Sequence, residues 1–166
     1  MKNLTSRIAA TFLVFVCCAS SSVMAADPPP GSAKNLLMSF NEYLSQTGPA
    51  LDGNVTLTGA ISERGTRHED FSVVSANKDN SQVVVSGTSL ITTASGTIST
   101  KFTGTIYFDN ATFNSTALAY IEGTESVTGG TGAYANVSGK PGTFEATLDY
   151  ANGNVLGVFE AKVQLR

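Results

Sequence analysis

The amino-acid sequence predicts a single all-β domain of antiparallel strands, preceded by an export signal and one short helix. Three observations support this fold class. Apolar and polar residues alternate with a period of two along most of the chain after residue 54, which is typical of half-buried strands. Turn-forming dipeptides separate these runs at short intervals, and threonine is abundant on the face expected to meet solvent. About seven or eight strands in such an order indicate a sandwich or a barrel.

The N-terminal residues have the three-part layout of a secretory signal peptide. Lys2 and Arg7 make a short basic region, residues 8–19 form an uncharged apolar run, and residues 20–25 are mostly small and end in a signal-type cleavage site. The run is shorter than the about 20 apolar residues that cross a hydrocarbon core. We therefore predict a signal peptide over residues 1–25 and a secreted or periplasmic mature protein without a membrane span.

Two alternatives for this segment use the same residues. A retained anchor helix would use the apolar run as a membrane span. A lipoprotein signal would use Cys17 or Cys18, although Val16 stands where a lipobox has a small residue. Both cysteines lie in the segment, so its removal leaves no disulfide and no cysteine-ligated metal in the mature chain. A mature chain of about 140 residues is large enough for one domain held by its own core.

Removal of the signal peptide also makes the chain more acidic. Without Lys2 and Arg7, eight of the ten basic residues remain against thirteen acidic ones, which gives a net charge of −5. The remaining basic residues are scattered rather than clustered, so nucleic acid is not an expected partner. No cofactor is expected either, because the mature sequence carries no nucleotide-binding or metal-binding motif.

The segment before the alternating runs predicts a linker and a helix. Residues 26–34 include three successive prolines, which hold the backbone extended. Residues 35–46 carry apolar side chains at spacings of three and four, and a Gly-Pro pair follows as a stop signal. We expect a short helix and turn over residues 35–50, either packed against the sheet or plugging an open barrel end. The β domain then covers residues 51–166.

The clearest strand covers residues 97–108. Its even-numbered apolar residues share one face, and threonines fill much of the other. An Asn-Gly pair at residues 152–153 gives the strongest hairpin signal, since both central residues of a type I′ turn need a positive φ. Asp-Asn pairs indicate turns at 79–80 and 109–110. The other strands are expected within 55–61, 71–75, 82–86, 116–123, 143–150 and 154–165.

Residues 129–139, GGTGAYANVSG, combine a Gly-Gly-Thr-Gly run with an aromatic residue and a later glycine. This stretch resembles the signature of the allene oxide cyclase-like barrels, the superfamily that includes the dirigent proteins, and the resemblance covers residues 53–166. It implies a closed eight-stranded antiparallel barrel with an apolar interior. It also implies hydrophobic small molecules as ligands or substrates, and a homo-oligomer like the trimeric plant members. The resemblance assigns no catalytic residue to this sequence.

The same stretch has a physical interpretation of its own. Gly129, Gly130 and Gly132 allow a sharp turn because glycine adopts positive φ without steric cost. Tyr134 would then tuck into one end of the barrel. No helical pattern follows the glycines, so a nucleotide-binding loop is a poor interpretation. We therefore expect a structural role for this motif.

Four aromatic side chains on or beside the strands are the predicted ligand contacts: Phe102, Tyr120, Tyr134 and Tyr150. Together they would line a pocket for a flat apolar molecule. In the alternative interpretation they are core or rim residues, which is the commoner role of aromatic residues on strands.

Residues 63–70, ERGTRHED, are the densest charged stretch and contain the only histidine. In a functional interpretation they lie at a barrel mouth, where His68 acts as an acid or base beside Glu69 or Asp70. In the alternative they form a solvated hairpin tip whose paired charges contribute little. One histidine with loose carboxylates does not make a metal site. We therefore assign no catalytic and no metal-binding residue.

The function expected from these observations is that of a secreted barrel that binds a hydrophobic small molecule. The alternative is a cyclase- or dirigent-like enzyme that acts on such a molecule. The interior of the barrel distinguishes the two. An interior lined only by apolar groups favours a binding protein, whereas ionisable side chains that converge inside favour an enzyme.

Overall fold

The computed structural model describes residues 32–45, 48–108, 118–149 and 151–165. Within these ranges, nine strands make one antiparallel sheet, and a short 3-10 turn covers Gly132–Tyr134. The strands are β1 Lys34–Leu44, β2 Ala50–Gly59, β3 Glu63–Ala76, β4 Gln82–Thr93, β5 Thr97–Tyr107, β6 Leu118–Gly130, β7 Ser138–Gly139, β8 Gly142–Asp149 and β9 Asn154–Gln164. The predicted all-β class is confirmed.

The sheet closes on itself to form a barrel. Strands pair in the order β1 to β6, then β8 and β9, and β9 pairs back onto β1. That last pairing runs from Lys34 opposite Val163 to Tyr43 opposite Asn154. Closure pairs the backbone groups that an open sheet would leave along its two edges. The predicted closed antiparallel barrel of eight strands is confirmed, and the two-residue strand β7 is added beside the end of β9.

The predicted helix over residues 35–46 is wrong, because Lys34–Leu44 is strand β1. Its buried side chains follow a period of two and include Leu36, Met38 and Phe40. The apolar residues of this segment fit both the helical period of 3.6 and the strand period of two. The segment forms a strand because it pairs with β2 on one side and with β9 on the other. The two expected roles of the helix, packing on the sheet or plugging an end, fail with it. The barrel therefore begins before the predicted boundary at residue 51.

Glycines in the barrel wall make room for three inward phenylalanine rings. A Cβ atom at Gly104 would come within 2.7 Å of a ring atom of Phe144, and one at Gly87 would come equally close to Phe102. The pairs are Phe102 over Gly87, Phe144 over Gly104 and Gly123, and Phe40 over Gly157. Glycine in a strand often marks such a close approach. Each ring therefore lies where a neighbouring strand has a glycine on its inward face.

The glycine-rich stretch closes one end of the barrel. Tyr134 is only 5% exposed and belongs to the core, together with Val137. Gly132 has a φ of 60°, and the neighbouring backbone is held by a hydrogen bond from Ala133 N to Ser95 O of 2.9 Å. The expectation that Tyr134 tucks into a barrel end is confirmed.

The β8–β9 connection lies where the sequence predicts it but has another geometry. Asp149 pairs with Asn154, which leaves a four-residue connection rather than a two-residue type I′ turn. Gly153 has a φ of 73°, but Asn152 does not have the positive φ that a type I′ turn requires. In the described ranges, Asn80 is the one non-glycine residue with a positive φ. Asn152 acts instead through its side chain, whose Oδ1 accepts a hydrogen bond of 3.0 Å from the Asn154 amide.

Several expectations fall on residues outside the described ranges. They are the signal peptide over 1–25, most of the linker over 26–34, the turn at 109–110, and Tyr150. Among the residues that the structure describes, no helix has the length and hydropathy needed to cross a membrane.

Candidate ligand-binding cavity

A cavity lies inside the barrel, on the side away from Tyr134. All eight long strands contribute to its wall, which reaches the rim at Leu44, Leu148 and Val155, beside the β1–β2 and β8–β9 connections. The centre of a water molecule can occupy about 60 Å³ of it. A single water needs roughly 10–15 Å³ on that measure, so the cavity has space for a small ligand or several waters.

The cavity wall is apolar except at two positions. Twelve of its fourteen lining residues are aliphatic or aromatic, and the other two are Arg67 and Glu69. Both belong to β3 and lie deeper than Phe71, the next inward residue of that strand. A mainly apolar wall with a few convergent polar groups is typical of small-molecule sites.

The predicted aromatic contacts do not come together in this cavity. Phe102 lines it, but Tyr134 lies in the closed end. Tyr120 does not line the cavity, and its ring stacks on Tyr107 with 6.1 Å between centroids. Tyr150 lies outside the described residues. Of the four predicted contacts, the structure thus places Phe102 in the cavity wall.

The charged stretch 63–70 lies in strand β3 and not in a hairpin tip. Its residues alternate, so His68 faces outward while Arg67 and Glu69 are buried. The His68 Nδ1 lies 2.7 Å from Asp52 Oδ1, and its Nε2 lies 3.5 Å from Asp70 Oδ2. The hydrogen bond that His68 donates to Asp52, with the nearby carboxylate charges, raises the pKa of His68. His68 thus lies beside Asp52 and Asp70 on the outer face, whereas Glu69 faces the interior.

Inside the barrel, one guanidinium binds three carboxyl groups. The Arg67 Nη1 lies 3.1 Å from Glu42 Oε2, and Nη2 lies 3.0 Å from both oxygens of Glu125. Nη2 also contacts Glu69. The guanidinium carbon lies 4.5 Å from the centroid of the Phe40 ring, within the range of a cation–π interaction. The cluster Glu42–Arg67–Glu69–Glu125, called the buried ionic cluster below, thus joins β1, β3 and β6.

Two hydroxyl groups complete the surroundings of Glu125. Thr100 donates to Glu125 Oε1 at 2.5 Å, and Ser89 donates to the same oxygen at 3.3 Å. By contrast, Glu42 Oε1 is buried and has no hydrogen-bond partner in the described structure. The buried ionic cluster is therefore satisfied at Glu125 and incomplete at Glu42.

Burial changes the protonation of this cluster. Desolvation raises the pKa of Glu42 to about 7 and that of Glu69 to about 8, against the opposing charge of Arg67. Burial acts to lower the pKa of Arg67, but the three carboxylates outweigh it and raise that pKa. The guanidinium therefore stays charged, while Glu42 and Glu69 hold protons for part of the time near neutral pH.

The buried ionic cluster corrects the expectation of an apolar interior. Ionisable side chains do converge inside, and Glu42, Arg67 and Glu125 are not among the site residues that the sequence predicts. The sequence does indicate that Glu42 faces inward if this segment is a strand, because Glu42 follows Leu36, Met38 and Phe40 at a spacing of two. Within the described ranges, no group of His, Cys, Asp or Glu side chains is arranged to hold a metal ion.

Comparison of the chain with protein-family models, with curated proteins and with solved structures gives no match. The resemblance to the allene oxide cyclase-like barrels therefore stays a prediction that depends on residues 129–139 and on the closed barrel.

Proposed function

We propose that this protein binds a hydrophobic small molecule in the barrel cavity, in a secreted or periplasmic location. The observation that carries the proposal is the cavity itself, which is lined by apolar side chains from all eight long strands and lies away from the barrel end that holds Tyr134. Burial of apolar ligand surface against such a wall contributes about 25 cal/mol per Å². The predicted location depends on the N-terminal signal and is a separate part of the proposal.

The aromatic part of the wall supports a preformed site. Phe102 and Phe144 meet edge to face, with ring centroids 6.1 Å apart and an interplanar angle of 86°. Their positions over wall glycines restrict movement of the rings. A site that is already shaped before binding loses little conformational entropy when the ligand enters.

Calorimetric titration with octan-1-ol, a neutral probe of moderate size, tests binding. Leu148 lines the cavity near its rim, and the neighbouring Thr147 does not line it. We expect Leu148→Trp to weaken octan-1-ol binding at least about tenfold by filling the entrance. Thr147→Trp, the matched control, should bind as the wild type does. If wild-type protein binds no octan-1-ol, or if both variants bind equally well, the proposal fails.

A cyclase- or dirigent-like enzyme is the second candidate, and the buried ionic cluster favours it. Glu69 lines the cavity, and its raised pKa gives a protonated carboxyl group near neutral pH. Such a group can donate a proton to a bound substrate. We rank binding first because Arg67 and Glu69, the two cluster residues that line the cavity, are already paired with each other and with the rest of the cluster.

A comparison of variants tests the enzyme candidate. The wild type, Glu69→Gln and the outer-face control Glu160→Gln are incubated with a mixture of apolar metabolites, and products are detected by mass spectrometry. A product formed by the wild type and by Glu160→Gln but not by Glu69→Gln supports catalysis. The absence of any new product counts against it.

A further inference from the structure

We infer that the preferred ligand of the cavity carries a protonated amine, which lies against the buried ionic cluster while its apolar part fills the cavity. The inference deepens the proposed binding function and rests on it. The polar group of the ligand at the deep end of the cavity could be a cation, a neutral group or an anion, and the inference selects the cation.

The balance of buried charge is the first argument. The cluster contains three carboxyl groups and one guanidinium, all nearly or fully buried. With every group ionised it would carry two uncompensated negative charges, which is costly away from water. The cluster must therefore hold protons or take up a cation. A ligand ammonium group that replaces one proton keeps the charge balanced and forms charge-assisted hydrogen bonds.

The contacts of Arg67 are the second argument, because they disfavour an anionic ligand. Its Nη1 donates to Glu42, its Nη2 faces Glu125 and Glu69, and its Nε donates to Ser89 at 3.4 Å. One face of the guanidinium is covered by Phe40. A carboxylate ligand would find a guanidinium already surrounded by three carboxyl groups. It would add a fourth acidic group to the same small volume.

The unpartnered oxygen of Glu42 is the third and independent argument. Glu42 is fully buried, and its Oε1 has no hydrogen-bond partner in the described structure. Glu42 does not itself line the cavity, but it is bound to the same guanidinium as Glu69, which does. Buried acceptors in proteins are nearly always paired. An ammonium group offers three donors and no acceptor, which is the complement of a surplus of carboxyl oxygens.

The inference gives a defined pH dependence. Glu42 faces Arg67 and Glu125 and is influenced by Asp52, while Glu69 faces Arg67, Glu42 and Glu125. Burial raises the pKa of both groups, so both release protons between about pH 6 and 9. An alkylamine stays protonated over this range, as lysine does. Its binding should therefore strengthen as pH rises and should release a proton from the protein.

The test compares three ligands that share an eight-carbon chain: octan-1-amine, octan-1-ol and octanoate. Calorimetry is carried out at about pH 6 and about pH 8.5, where both charged ligands keep their charge. At the higher pH we expect the amine to bind at least about tenfold more tightly than the alcohol, and octanoate to bind more weakly than the alcohol. Titrations in two buffers of different ionisation enthalpy should show proton release with the amine.

Variants locate the effect. Glu69→Gln should reduce the advantage of the amine over the alcohol to within about threefold, because it removes one acidic charge. Glu42→Gln is the second variant, in case the first does not fold. Glu160→Gln, on the outer face, should keep the full advantage. If the alcohol binds and the amine binds no better at either pH, the inference is overturned while the proposed function stands. If none of the three ligands binds, the proposed function fails as well.

Discussion

Arg67 is the side chain on which the barrel interior depends. Its guanidinium binds carboxyl groups from β1, β3 and β6, so it connects strands that are far apart in the chain. Breaking a buried ion pair by removing one partner typically costs about 3–5 kcal/mol, because the remaining charge is uncompensated. Here the acidic partners can also take up protons, so the cost of losing Arg67 depends on pH.

Stability should fall as pH rises from about 5 to about 9. Glu42 and Glu69 have pKa values of about 7 and about 8 in the folded state, above the ordinary value of 4.5, because burial disfavours their charged forms. The folded state therefore binds more protons than the unfolded state in this window, and the free energy of unfolding decreases with pH. Urea unfolding at several pH values measures the slope. A slope that is flat or rises, or one that Glu69→Gln leaves unchanged, would contradict this account.

His68 contributes little despite its two carboxylate neighbours. Asp52 raises its pKa, so its stabilising effect is present at low pH and is lost as pH rises through the folded-state value. The side chain is 48% exposed, where solvent screens such pairs. We expect His68→Ala to change the free energy of unfolding by no more than about 0.5 kcal/mol, measured by urea unfolding. Its octan-1-ol affinity should equal that of the wild type, and a clear loss would give the outer face a role in binding.

At the scale of elements, the period of the sequence predicts strands well where one face is apolar. Strand β5 is found at Thr97–Tyr107 with its even-numbered side chains inward, as expected. The sequence predicts a helix for strand β1 because its outward residues Leu37 and Tyr43 are also apolar, which obscures the alternation. Tertiary pairing with two neighbours overrides such local preference.

The β8–β9 connection depends on the conformation of Gly153. Its φ of 73° disfavours β-branched residues, whereas a Cβ atom there would meet nothing closer than Leu44 Cβ at 3.4 Å. We therefore expect Gly153→Val to lower the free energy of unfolding by about 1–2 kcal/mol through backbone strain alone. Gly153→Asn should cost less, since asparagine tolerates positive φ. Thermal unfolding compares the two, and equal melting temperatures would contradict the assignment of strain.

At the scale of the whole molecule, Tyr134 seals the barrel end opposite the cavity. Truncation of a buried aromatic side chain costs about 3–5 kcal/mol, which is a large share of a typical domain's stability. Tyr134→Ala should therefore lower the melting temperature strongly, while Tyr134→Phe keeps the ring and should retain most of the stability. Calorimetry or circular dichroism measures both. A Tyr134→Ala protein that melts like the wild type would show that the seal is unnecessary.

The candidate site was less predictable than the fold. Its acidic groups stand at positions 42, 69 and 125, in three segments that the sequence alone does not bring together. Each side chain lies on the inward face of its strand. Strand order and register, which the sequence alone does not give, decide that the three inward side chains lie close together. By contrast, the placement of Tyr134 in a barrel end followed from local glycine chemistry, and the structure confirms that placement.

The pairing of β1 with β9 has a consequence for how the barrel forms. Strand β1 finds one partner, β2, within the next residues of the chain, but its other partner, β9, follows only after β2 to β8. The barrel therefore cannot close until β9 has been synthesised. Until then, β1 presents an open edge and inward apolar side chains to its surroundings. Pairing of strands that are far apart in the sequence requires a large loss of chain entropy before the contacts form, and this slows folding. The nascent chain therefore stays open for longer than a chain whose contacts are local.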